Sequence, residues 1–187
     1  MKDLLTLPDN LLVPKDDGAC DHLEGMKFPE LNIQNTSKKE VNLAHYKGMT
    51  VIYFYPMMGS PNSAPMIGWN DIPGARGCTP QSCSFRDHLS ELQDLGVTNI
   101  FGASSQDIKE QKETIERLHL PFELLNDSSF ELTDLLKLPT FEYKDKMMIK
   151  RLSLIIKSGI IVKVFYPVFP PNENAVRVIE WLRKYKA

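Results

Sequence analysis

"MTVIYFYP", Met49 to Pro56, is a run of β-branched and aromatic residues closed by a proline. An apolar run of that length is the pattern of a strand buried on both faces, as at the centre of a sheet covered by helices. "VTNIFGAS" (Val97 to Ser104) reads as a second such strand. Between them, Thr79-Pro80 has the form of an N-cap followed by a first helical residue. Phe85, Leu89 and Leu92 recur at i, i+4 and i+7, and Gly96 sits where a left-handed terminal residue belongs, so a helix is expected from about Pro80 to Leu95.

Further along, Ser105 or Asp107 caps a helix through Leu118 that Pro121 stops. "FELLND" reads as a short strand and turn, and "SSFELTDLLKL" as a short helix. "RLSLIIKSGIIVKVFYP" reads as a hairpin around Lys157-Ser158-Gly159. Ala175 to Lys186 reads as an amphipathic helix carrying Val178, Ile179 and Leu182. The order β-α-β-α-β-α-ββ-α predicts an α/β fold, a mixed central sheet flanked by helices, which suits a thioredoxin-like architecture.

The 187 residues, 42% hydrophobic and 25% charged, suffice for one domain with a substantial core. Residues 1–27 are polar and without a period, so they read as an N-terminal extension to a domain over 28–187. A net charge of −2 leaves no basic surplus for nucleic acid or an anionic membrane. The N-terminus lacks the apolar centre of a signal peptide, with Asp3, Pro8 and Asp9 interrupting it. No apolar run reaches the roughly 18 residues of a membrane span, so a cytoplasmic protein is expected. Three cysteines are too few for a disulfide scaffold; in a reducing compartment they are expected to be buried, catalytic or metal-bound.

Two of them lie in "GCTPQSC", Gly77 to Cys83. Cys78 precedes the expected helix, where free N–H groups and the helix dipole favour an anion, and the thiolate is the nucleophilic form of a cysteine. Arg76 can add positive charge. The plain alternative is a small buried hydrophobe, for which a Gly-Cys-Thr-Pro setting is a poor place. Cys83 is five residues along the same helix, roughly 140° around it and about 8 to 9 Å away between Cα atoms, beyond the ~7 Å reach of a disulfide. A bond between the two therefore requires the first helical turn to unwind. Cys83 also lies off the Phe85/Leu89/Leu92 face, and an inert helix residue is its plain alternative.

No metal is expected: Cys78, Cys83 and His88 cannot converge from one helix, and His22, His45 and His119 show no ligand spacing. No Ser-His-Asp arrangement or phosphate loop is visible. Read alone, Arg151 is a solvated charge at the start of a strand. Trp69, in the long loop before Cys78, is either a local plug or an aromatic lid.

Taken together, "VIYFYP", "GCTPQSCSFRDHLSEL", "LPFELLND" and "RLSLIIKSGIIVKVFYP" resemble the peroxiredoxins of the peroxiredoxin Q or bacterioferritin-comigratory-protein group. Their pattern is close to F-Y-P-x-x-x-T-P-G-C-T-x-x-A-C-x-F-R-D, and the likeness spans about Phe28 to Tyr185. The resemblance implies a thioredoxin-like fold and reduction of hydrogen peroxide or organic hydroperoxides without metal, haem or flavin. Cys78 is then the peroxide-reacting thiol, Cys83 the resolving thiol, Arg151 the cation that holds thiolate and peroxide, and Pro56 the proline shielding the site. A thioredoxin-like reductant and a monomer or weak homodimer are implied as well. The rival reading is a redox sensor or partner-binding domain with little turnover. One feature departs from the pattern: "NSAPMIGWNDIPGAR" stands between Pro61 and Gly77. Counted forward from Pro56, the family's threonine falls on Ser60; counted back from Cys78, it falls on Ala75. The inserted stretch is a candidate lid, size filter or partner surface.

Overall fold

The computed structural model describes residues 4–61 and 66–186. Residues 62–65 of the inserted stretch, and the Asp3 invoked against a signal peptide, lie outside them. A small hairpin, β1 (Ile33–Gln34) and β2 (Glu40–Val41), precedes β3 (Met49–Phe54). There follow α1 (Cys78–Asp87), α2 (Leu89–Asp94), β4 (Val97–Ser104), α3 (Ile108–Leu118), β5 (Leu124–Asn126) and α4 (Glu131–Leu136). The chain closes with β6 (Thr140–Tyr143), β7 (Lys146–Ile149), β8 (Leu152–Lys157), β9 (Ile160–Phe165) and α5 (Asn174–Lys186).

Five strands make the central sheet in the order β5-β4-β3-β8-β9. β3 runs parallel to β4 and β4 to β5, while β8 is antiparallel to both β3 and β9. The fold is the expected α/β, thioredoxin-like arrangement. All six residues of β3 are buried. Val51, Tyr53 and the following Tyr55 pack with Phe85 of α1, Leu92 of α2 and Val178 and Leu182 of α5. Ile52 and Phe54 pack on the other face with Leu132 and Leu136 of α4. A strand covered on both sides needs no polar alternation, and the sequence shows none. On β8 the same two-residue period puts Ile155 on the α1 side and Leu152, Leu154 and Ile156 on the other. Ser153, and Arg151 just ahead of the strand, are in phase with Ile155. Among the described residues no helix is long and apolar enough to cross a membrane.

Three local expectations need correction. The helix expected over Pro80–Leu95 starts at Cys78 and breaks at His88, which has φ −103° and ψ 13°. Its ring Nδ1 lies 2.9 Å from the Ser84 carbonyl that also takes its backbone N–H; a side chain competing for a helical carbonyl loosens the ladder there. The N-cap is Gly77, not Thr79. Pro80 is the third helical residue and not the first, still within the four whose N–H has no helical partner. The hairpin of β6 and β7 was not anticipated. Its turn residues Lys144 and Asp145 both have positive φ (49° and 60°) without a glycine or asparagine to signal it. Trp69 packs against this hairpin, 4.9 Å from the Tyr143 ring and 6.0 Å from Phe141, and is a local plug.

Residues 4–26 form no long element, yet they pack closely. Cys20 and Leu23 are buried in the core, and burial pushes the Cys20 thiol up to about 12, which keeps it protonated and unreactive. Ahead of them, a methyl group built on Gly59, Gly74 or Gly77 would lie 3.4, 3.4 or 3.0 Å from Leu4, Pro14 or Leu7. This segment is therefore laid along the loop that leads to Cys78. Asp17 ties it down, accepting from Lys150 Nζ at 2.9 Å and from the Tyr166 hydroxyl at 2.8 Å. Those bonds hold its carboxyl down to about 2. A carboxyl lowered on folding stabilises above its unfolded value, about 3.9, and that contribution disappears as pH falls toward 2. Asp17→Ala is expected to speed hydrogen exchange in residues 4–19 with β3 and β8 unchanged, and acid below about pH 4 should do the same in the unaltered chain. Unchanged exchange in the variant would refute the tie.

Candidate active site

Gly77 fixes where the helix begins. Its φ of 109° is in the region L side chains avoid, and an added Cβ would lie 2.3 Å from Pro171 Cγ. The turn it makes places Cys78 as the first residue of α1, among N–H groups with no helical partner. Residues Cys78 to Phe85 are all buried, so Cys83 sits in the core although it lies off the Phe85/Leu89/Leu92 face. The cover over this half of the helix includes the C-terminal segment around Pro171. Both thiols are free, with Cys78 3% and Cys83 7% exposed. Burial pushes the Cys83 thiol up, against the opposing pull of Arg86.

Arg151 is not a solvated strand-end charge; it is 3% exposed. Its Nη2 donates to Cys78 Sγ at 3.2 Å, to the Ala75 carbonyl at 2.9 Å and to the Arg76 carbonyl at 3.3 Å. Nε donates to the Gly74 carbonyl at 3.2 Å, and Nη1 donates to Gln81 Oε1. These partners are three backbone carbonyls, an amide oxygen and one sulfur. Of that set only the sulfur can carry a negative charge, and it lies directly against the guanidinium. Arg76 contributes to this cradle through its backbone oxygen. The Ala75 carbonyl is also 3.7 Å from Cys78 Sγ.

The two ends of the long loop go to different places. Its near end turns toward α3: Met58 N donates to Gln106 Oε1 at 2.6 Å, and Arg117 donates to the Gly59 carbonyl at 3.0 Å. Ser60 lines a groove there with Met57, Met58, Gln106, Glu110 and Glu113. Pro56, two residues after β3, is buried, and Thr79 reaches back from α1 to donate to Met58 Sδ at 3.3 Å. The far end, residues 74–76, is what surrounds Arg151 and Cys78. The structure thus brings together Cys78, Arg151 and Ala75. A backbone carbonyl stands there in place of a hydroxyl, and Ser60 is held on the α3 side.

A cavity of about 290 Å³ opens beside Arg151, walled by Pro14, Ile72, Pro73, Phe141 and Val168. Among the described residues no group of three His, Cys, Asp or Glu side chains is placed to hold a metal ion. Two residues beyond the sequence reading join the site. Gln81 is one turn after Cys78, so its spacing of three could have marked it. Asn174, whose Oδ1 accepts from Gln81 Nε2 at 2.9 Å, is 93 positions away and carries no local signal.

The chain is similar to known proteins over most of its length. The family model described as Redoxin matches residues 23–179. The bcp protein of Haemophilus influenzae is 30% identical over 164 residues, covering 85% of this chain and 95% of that one. The peroxiredoxin Bcp of Escherichia coli is 28% identical over 162 residues, covering 84% and 93%. The crystal structure of peroxidoxin BcpB from Mycobacterium tuberculosis has the same fold, with a TM-score of 0.72 at 20% identity over 88% of this chain and 99% of that one. A reactive-looking thiol under a buried arginine, in this fold and with these relatives, places the chain in the Redoxin family as a peroxiredoxin of the Bcp and peroxiredoxin Q kind, a thiol-dependent peroxidase.

Proposed function

We propose that Cys78 reacts with the peroxide, that Cys83 resolves the product, and that Arg151 supplies the positive charge for the first step. The observation that carries this is the 3.2 Å hydrogen bond from Arg151 Nη2 to Cys78 Sγ, the other partners of the guanidinium being neutral. The Cys78 thiolate attacks one peroxide oxygen, and the S–O bond forms as the O–O bond breaks. The electron pair leaves on the other oxygen, which takes a proton to become water or an alcohol. The guanidinium and the free N–H groups of α1 stabilise charge on both oxygens. Cys78 becomes a sulfenic acid.

The second step needs the first turn of α1 to open, because helical geometry keeps the two Cα atoms about 8 to 9 Å apart. Burial keeps Cys83 protonated until then. Once exposed, its thiolate attacks the Cys78 sulfur, the S–S bond forms, and hydroxide leaves with a proton as water. An external dithiol of the thioredoxin kind then exchanges with the disulfide, returning both thiols and becoming oxidised itself. The apolar walls beside Arg151 suit the organic part of a hydroperoxide, whereas hydrogen peroxide needs only the polar groups at Cys78. A cytoplasmic setting and a monomer or weak homodimer complete the reading.

One equivalent of peroxide added to the reduced protein, followed by mass, tests the assignment. The unaltered chain is expected to lose two hydrogens, and Cys83→Ser to gain one oxygen at Cys78 that a sulfenic-acid reagent captures. No peroxide-dependent change at Cys78 would sink it. Sustained consumption with thioredoxin and its reductase distinguishes turnover from sensing.

A further inference from the structure

We infer that Asn174, the first residue of α5, is a positioning residue for Cys78, acting through Gln81 and Arg151; this rests on the peroxidase reading above. The guanidinium has only hydrogens to offer, so the fully buried Gln81 must turn its amide oxygen toward Arg151 Nη1. Its Nε2 is then aimed at Asn174 and needs an acceptor, which Asn174 Oδ1 provides at 2.9 Å. The same Oδ1 accepts the Ser153 hydroxyl at 2.6 Å. With its oxygen committed to these two donors, the Asn174 Nδ2 is left buried without a hydrogen-bond partner among the described residues. An asparagine serving packing alone would use both ends of its amide; this one forgoes a buried donor so that its oxygen faces Gln81.

The bonds link Arg151, Gln81, Asn174 and Ser153, starting and ending on the same face of β8. The link fixes which way the Gln81 amide points and so where the guanidinium sits against the sulfur. Gln81 also belongs to the helical turn that must open before Cys83 can reach Cys78. Releasing it should therefore act in opposite directions on the two steps.

Asn174→Ala is expected to slow oxidation of Cys78 by hydrogen peroxide about ten-fold, and to speed disulfide formation from the sulfenic acid. Gln81→Glu is the bypass, since a carboxylate presents oxygen to Arg151 whichever way it turns. In that background Asn174→Ala should change the oxidation rate less than about two-fold. Equal slowing in both backgrounds, or no slowing in the native one, would overturn the inference. Asn174→Asp keeps the oxygen facing Gln81 and Ser153; it should oxidise within about three-fold of the unaltered protein, and an Asp variant as slow as Ala would count against the role. Oxidation of Cys78 in the unaltered chain is the separate control, because its absence would defeat the peroxidase reading rather than the part given to Asn174.

Discussion

Arg151→Met is expected to slow oxidation of Cys78 by peroxide by about 10²- to 10³-fold, read as the pseudo-first-order loss of the thiol. Two things are lost together in that variant. The first is the cation 3.2 Å from the sulfur, with neutral partners elsewhere around it. The second is the donor set for the carbonyls of Gly74, Ala75 and Arg76. A rate loss of that size corresponds to about 3 to 4 kcal/mol of transition-state stabilisation. The change in stability is a difference of two opposing effects, because removing a buried charge recovers its desolvation cost while the orphaned carbonyls each lose about 1–3 kcal/mol. Methionine roughly fills the space, so cavity effects are minor. Arg151→Lys separates the two losses. It keeps a charge but cannot bond Gly74, Ala75 and Gln81 at once, and it should recover less than about ten-fold of the lost rate. If Arg151→Met oxidises Cys78 within about ten-fold of the unaltered protein, the arginine serves the loop and not the chemistry.

How legible these features are depends on the range over which each is determined. The β3 run and the Asp107 cap are local. Six buried residues in a row leave an unbroken apolar string, and Asp107 Oδ1 accepts from the backbone of Lys109 and Glu110, both 2.9 Å away. The β6–β7 turn is local too, but Lys144 and Asp145 adopt positive φ without the residues that usually announce it. Arg151 reads as a solvated charge on its own because its partners lie 70 or more positions earlier in the chain; only the family resemblance suggested its place. The resemblance, in turn, could not say which end of an inserted loop follows the family pattern. In the structure the Arg151 cradle takes residues 74–76 by their carbonyls, and Ser60 lies beside α3. Gln81 follows from Cys78 by helical spacing, whereas Asn174 needs the closed sheet to bring it in.

Gly77→Ala is expected to lower the melting temperature by about 10 °C, a loss of about 3 kcal/mol for a chain of this size. Two costs add. A non-glycine residue held at a φ of 109° costs about 1–3 kcal/mol. The new methyl would also sit 2.3 Å from Pro171 Cγ and 3.0 Å from Leu7 Cδ2, and overpacking of that kind costs about 1–3 kcal/mol. The opposing gain, a less flexible unfolded chain, is only about 0.4–1 kcal/mol, so destabilisation wins. The leucine can rotate away, but the proline ring cannot, so relief requires the backbone near Pro171 to move. Asn174 is three residues further on, and that movement should pull its oxygen away from Gln81. Peroxide oxidation of Cys78 is therefore expected to slow even well below the melting temperature. Pro171→Ala in the same chain removes the closest contact and should restore the part of the loss due to crowding, leaving the part due to φ. A Gly77→Ala protein that melts within about 2 °C of the original would mean that neither the backbone angle nor the Pro171 contact constrains the start of α1.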